Sequence, residues 1–173
     1  DAAWVDVVPG VPAWWGDRLL TVETDAASDT ARLCADGEPV SPPGMQVRAV
    51  LGVDDAAVLL AVAEAERERR VARLDTAGAW SMLTAGGAMA TARGAGGTLV
   101  HRLDTLDAVA PSIAVTAGPA SHALGVHVVE PDVTPQPMFL PRASSTDPRV
   151  AVLLPTSPHP RPLPVLLDPY GGP

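Results

Sequence analysis

Three short runs of strand-forming residues return along this chain at a spacing of about 40 residues, and a period of that length restricts the fold more than any single motif does. The runs are "RLLTVE" from Arg18, "AVLLAV" from Ala57 and "TLVHRL" from Thr98. Each follows a Gly or Asp turn signal. The likeness extends inside the units: "ARLCADGEPV" after Thr30 matches "VARLDTAGAW" after Arg70, and "SIAVTAG" from Ser112 sits at nearly the same offset. "QVRAVLGVDD" from Gln46 and "MATARGAGG" from Met89 each deliver the chain into the next unit. Between the runs lie Asp36-Gly37, Ala77-Gly78, Gly86-Gly87 and the stretch from Gly94 to Gly97. These residues suit tight turns, because glycine accepts a positive φ without a Cβ clash. Short strands with turns at this interval predict an all-β fold of about three four-stranded, propeller-like blades.

One segment competes with that reading. The residues from Asp54 to Leu74, "DDAAVLLAVAEAERERRVARL", are rich in Ala, Glu and Arg and are helical by propensity. Their two halves nevertheless align with strands of the neighbouring repeats, so strand, turn and strand are expected, with "EAERERR" as a solvated face or hairpin tip. Beyond Pro131 the composition changes. Prolines crowd the stretch to Leu167, and because proline cannot donate to a ladder they confine strands to short lengths or edges. "MFLP", "RVAVLLP" and "LPVLLDPY" are expected there as three strands, with a turn at Ser144 to Pro148 and a loop at Thr156 to Pro162.

Composition narrows the function. An apolar content of 47% requires a core and excludes a disordered chain. The formal charge of -8, from 20 acidic against 12 basic residues, repels phosphate backbones and anionic lipid, so neither nucleic acid nor membrane is an expected partner. Every basic residue is Arg, as the bias of a GC-rich genome would give. No apolar run approaches the roughly 20 residues of a membrane-spanning helix. The opening residues "DAAWVDVVPG" have no initiator Met and no signal-peptide pattern, and "DPYGGP" closes the chain like a beginning, so the chain is expected to be an internal piece of a longer protein. Its expected compartment is the cytoplasm.

The chemistry-bearing residues are few. Cys34, between Leu33 and Ala35, reads as a small buried apolar residue. "GAGGTLV" at Gly94 leads into a strand instead of a helix N-terminus, so it is a turn and not a phosphate loop. His101, His122, His127 and His159 form no metal-binding spacing, and His122 and His127 would lie on opposite faces of a strand. No metal or cofactor is expected. None of Ser81, Ser121, Ser144, Ser145 and Ser157 sits in a GxSxG frame. Trp4, Trp14, Trp15 and Trp80 read as core or blade-packing residues.

The repeat, the proline-rich crossover, "RVAVLLP" and the closing "LPVLLDPYGGP" together resemble dipeptidyl peptidase IV and its bacterial relatives in the prolyl oligopeptidase family. The resemblance covers essentially the whole chain. It implies a mainly β architecture: residues 1–130 would be the terminal blades of a β-propeller, and residues 131–173 the opening strands of an α/β-hydrolase domain. By position Tyr170 matches the family tyrosine whose hydroxyl helps form the oxyanion hole, on a turn supported by Asp168, Gly171 and Gly172. A phenol there can direct a donor at the charge of a tetrahedral intermediate. The implied activity is a serine-type exopeptidase that releases N-terminal dipeptides, often after Pro or Ala. The serine, Asp and His of its triad would lie beyond Pro173, and the family's paired substrate-gripping glutamates have no match, Glu66 and Glu68 lying in a charged hairpin. The isolated chain is then expected to be inactive. Its expected partners are a peptide substrate, the catalytic domain of the same polypeptide, and a second copy in a homodimer. Two alternatives stay open: an acylaminoacyl peptidase or prolyl endopeptidase of the same family, and a non-catalytic β-repeat binding module. Three blades cannot close a ring, so such a module would associate through its edges unless partners covered them.

Overall fold

A computed structural model describes residues 7–64, 68–129, 132, 136–141, 150–155 and 162–168. The chain divides into two units, one of residues 1–105 and 110–128, the other of residues 106–109 and 129–173.

The first unit contains three four-stranded antiparallel sheets, each formed by strands consecutive in sequence. The first comprises β1 (Ala13–Trp15), β2 (Arg18–Asp25), β3 (Thr30–Ala35) and β4 (Glu38–Pro39). The second comprises β5 (Gln46–Val53), β6 (Ala57–Ala63), β7 (Arg70–Asp75) and β8 (Trp80–Met82). The third comprises β9 (Met89–Ala95), β10 (Thr98–Asp104), β11 (Ser112–Ala117) and β12 (Ala120–Leu124). No sheet closes on itself. The expected three β-rich repeats are present, and the residues between Asp54 and Leu74 form β6 and β7 where they are described. Tertiary pairing overrides the helical propensity of that segment.

Turn chemistry sets the registers. Asp36 (φ 54°) and Gly37 (φ 83°) both take positive φ between Ala35 and its partner Glu38, as a two-residue hairpin turn requires. Asp36 adds a side-chain anchor: its Oδ1 accepts the Leu19 amide at 2.9 Å, and its Oδ2 meets the Arg18 guanidinium at 3.2 Å. Gly96 (φ 56°) and Gly97 (φ 77°) repeat the turn between Ala95 and Thr98.

Alternation of side chains assigns each face. Val58, Leu60 and Val62 of β6, with Ala72 and Leu74 of β7, pack with Leu20, Leu33 and Trp15 of the first sheet. Leu59 of β6 and Val71 of β7 point the other way and pack with Ala90, Ala92, Leu99 and Leu103 of the third sheet. The middle sheet is therefore covered on both sides, which is why β6 is an unbroken apolar run, buried from Val58 to Ala63. Strand β10 packs one face on the second sheet, and its exposed and half-buried residues alternate from Thr98 to Leu103.

A side-chain clasp recurs at one station of the first two sheets. In the first, the Ser41 hydroxyl accepts the Leu33 amide at 3.0 Å, Arg32 donates to the Ser41 carbonyl, and Arg32 pairs with Asp25 at 3.6 Å. In the second, the Thr84 hydroxyl accepts the Val71 amide at 2.9 Å, Arg70 donates to the Thr84 carbonyl at 3.2 Å, and Arg70 pairs with Glu64 at 2.6 Å. Strand β11 of the third sheet carries no arginine, so the clasp does not recur there.

Among the described residues the second unit contains one hairpin, β13 (Gln136–Phe139) paired antiparallel with β14 (Ala151–Leu154) and extended by the Leu140 amide donating to the Val150 carbonyl at 3.0 Å. Two of the three strands expected beyond Pro131 thus form. The third does not: residues 163–168 carry no ladder among the described residues, and Leu166 is 92% exposed. The apolar run "LPVLL" has the composition of a buried strand but pairs with no strand among the described residues. The expected turn at 144–148 lies outside the described residues, as does nearly all of the expected loop at 156–162. No helix among the described residues is long and apolar enough to cross a membrane.

Candidate functional site

A pocket of about 360 Å³ opens between the second and third sheets, at the end where the β5–β6 and β9–β10 turns lie. Its position follows from the facing residues. Leu59 and Leu99 bring the two sheets together, and Gly94 of β9 lies across them. A Cβ added at Gly94 would stand 3.1 Å from the Thr98 carbonyl oxygen and 3.4 Å from Leu99 Cδ1. Both atoms belong to β10, the ladder neighbour of β9, so a side chain at Gly94 would require β10 to give by a few tenths of an ångström, while Leu59 of the facing sheet stays at ordinary contact distance. Val53 and Leu83 complete the apolar wall.

Two charged residues line this pocket, Asp54 and Arg73. Arg73 is directly across from Leu59 in the β6–β7 ladder and shares its face, so its side chain is directed to the cleft. Asp54 begins the β5–β6 turn. Its Oδ1 accepts the amides of Ala56 and Ala57, both at 2.9 Å, which fixes the carboxylate and leaves Oδ2 available. Arg73 makes no hydrogen bond or ion pair among the described residues. Arg18, Arg32, Arg69, Arg70, Arg93 and Arg102 each donate to a carbonyl or carboxylate. The polar remainder is Thr98 and Thr116, whose hydroxyl donates to the Leu99 carbonyl at 3.5 Å. The arrangement offers an unpaired cation and a backbone-held anion on the wall of a largely apolar cleft. That suits recognition of a ligand carrying both charges, and it contains no nucleophile.

The residues singled out from sequence are distributed elsewhere. Tyr170, Gly171 and Gly172 lie outside the described residues; Asp168 is described and exposed. Glu66 is likewise outside, while Glu68 accepts the Gly87 amide at 3.0 Å and serves the connection between β8 and β9. Cys34 is 2% exposed on β3, and burial, with Glu23 nearby, pushes its thiol pKa up, so it is an unreactive packing residue. His122 lies on β12 but His127 falls after that strand ends, so the two do not share a strand. No three His, Cys, Asp or Glu side chains converge as metal ligands among the described residues. Of the tryptophans, Trp15 is buried and Trp80 packs against the core, whereas Trp14 is 66% exposed. The expected packing role fails for Trp14: its partner Leu19 shares the face of the first sheet that no other sheet covers among the described residues.

Asp54 and Arg73 were not singled out by sequence reasoning. In "RVARLD" an arginine at an alternate position is what any half-exposed strand carries, and Asp54 looks like ordinary turn chemistry. The signal was indirect: β6 is apolar on both faces, so a charged residue on the adjacent strand must sit between two sheets. No protein-family model, curated protein or solved structure matches the chain.

Proposed function

We propose that the three sheets are consecutive blades of a β-propeller, and that the chain is the propeller-to-hydrolase part of a serine exopeptidase of the dipeptidyl peptidase IV type. The observation that supports this most is the repetition. Three four-stranded antiparallel sheets follow one another at the spacing of propeller blades, and the second sheet is packed between the other two. The recurrent Arg and hydroxyl clasp marks the first two as copies of one unit. The tail motif "DPYGGP" supplies the link to the peptidase family.

In this reading the intact enzyme releases dipeptides from peptide N-termini through an acyl-enzyme. A serine oxygen supplied by the catalytic domain attacks the carbonyl carbon of the second residue while its proton passes to the histidine, and the Tyr170 hydroxyl donates to the oxyanion as it forms. The leaving amine takes a proton from the histidine, and water then frees the dipeptide acid. The propeller restricts access to this site. The test is hydrolysis of Xaa-Pro chromogenic amides by the full-length gene product. Release of chromophore from substrates with a free amino terminus is expected. Cleavage only of N-blocked substrates would move the protein to the acylaminoacyl peptidases or endopeptidases, and no hydrolysis of either kind would leave a binding module.

A further inference from the structure

We infer that the pocket between the second and third sheets binds a short zwitterionic peptide of dipeptide size, with its carboxylate on Arg73 and its ammonium on Asp54. The inference stands on the cavity alone and does not rest on the exopeptidase reading.

Charge spacing carries the argument. The Asp54 amide donates to the Ala57 carbonyl at 3.0 Å, Ala57 pairs with Asp75, and Arg73 precedes Asp75 by two residues on the same strand. At about 4.8 Å per strand and about 3.4 Å per residue, the two Cα atoms are about 12 Å apart. Both charges line the same cavity, and no ion pair joins them among the described residues. The ends of an extended dipeptide stand farther apart than those of a free amino acid, so a dipeptide can engage both charges without drawing them together. The volume of about 360 Å³ lies at the small end of ligand pockets and admits two modest side chains.

The chemistry is complementary at each contact. A guanidinium that has lost part of its hydration against Leu59 and Leu99 recovers it through two parallel hydrogen bonds to a carboxylate. Asp54 is held by two backbone amides, so its free Oδ2 is already oriented when an ammonium arrives. Apolar peptide side chains meet Leu83 and Leu99.

Calorimetric titration of the 173-residue chain with L-leucyl-L-leucine tests this, alongside the N-acetylated peptide and the C-terminal amide. The free dipeptide is expected to bind, and each capped analogue to bind at least tenfold more weakly. Arg73→Gln should erase the difference between free and amidated peptide. Asp54→Asn, which keeps the Oδ1 acceptor and hence the turn, should erase the difference between free and acetylated peptide. Arg48→Gln removes an exposed charge of β5 outside the pocket and should change nothing. The inference is overturned if the free dipeptide does not bind at millimolar concentration, if capping has no effect on the wild-type chain, or if Arg48→Gln weakens binding as much as Arg73→Gln. Because capping is tested on the unaltered chain, misfolding of a variant leaves the test intact, and the outcome is independent of any hydrolysis assay.

Discussion

Ser41 and Thr84 hold the same station in successive sheets: the hydroxyl of each accepts a buried strand amide, from Leu33 at 3.0 Å and from Val71 at 2.9 Å. The two amides lie where β3 and β7 run past the ends of their shorter neighbours β4 and β8, so the hydroxyls take over a ladder that the fourth strand no longer supplies. Thr84→Val keeps the shape and removes the acceptor. A buried amide left without a partner costs about 1 to 3 kcal/mol, so the variant should unfold at lower urea with an unchanged slope. Ser41→Ala should behave alike, and Thr84→Ser should restore most of the loss.

Gly10 and Gly16 both have positive φ, yet substitution should separate them. At Gly16 (φ 62°) a Cβ meets nothing within 4 Å, so Gly16→Ala carries only the left-handed backbone cost of about 1 to 2 kcal/mol. At Gly10 (φ 86°) the added carbon would collide with the Val50 carbonyl oxygen. It would disturb the 2.9 Å bond from the Val50 amide to the Pro9 carbonyl as well. Gly10→Ala should therefore lower the urea midpoint clearly more than Gly16→Ala.

Acid should weaken the fold through its turn aspartates. The Ser28 hydroxyl and the Ala27 amide hold the Asp25 pKa below the ordinary 3.8, and the Leu19 amide and Arg18 do the same for Asp36. A depressed folded-state pKa gives stability that is complete above the unfolded value and is lost as pH falls through the folded one. The urea midpoint should be level above about pH 5 and fall below about pH 4. Asp36→Asn, in which asparagine tolerates the positive φ, should make the acid limb shallower; an identical acid limb would show that Asp36 contributes nothing to it.

On the proposed exopeptidase reading, Tyr170→Phe in the full-length protein should reduce kcat by roughly 10² to 10³ with little change in KM, because a donor to the oxyanion acts in the transition state and not in substrate binding. Steady-state kinetics on an Xaa-Pro amide measure this, and an unaltered kcat refutes the role.

The sheets were legible in the sequence because their signals are local. Asp36-Gly37 and Gly96-Gly97 announce two-residue turns by themselves, and "AVLLAV" is placed as a strand by its alignment with the runs of the neighbouring units. What was not legible depends on partners distant along the chain. Nothing beside Ser41 or Thr84 indicates that either hydroxyl serves a strand several residues earlier. Arg73 cannot be told from a solvated strand arginine until the third sheet is placed over Leu59. Trp14 looked like a packing residue because its size favours burial, but burial needs a covering layer. The run ending at Leu167 likewise had a strand's composition without a strand's neighbour among the described residues.

The double covering of β6 has a consequence for how this unit comes apart. Water reaches one surface of each outer layer directly, whereas the amides of Val58 to Val62 can meet it only after both flanking interfaces have opened. Cooperativity here is that of a short linear array, in which loosening advances inward from either end. Deuterium should accordingly enter the third layer early and the heart of β6 last.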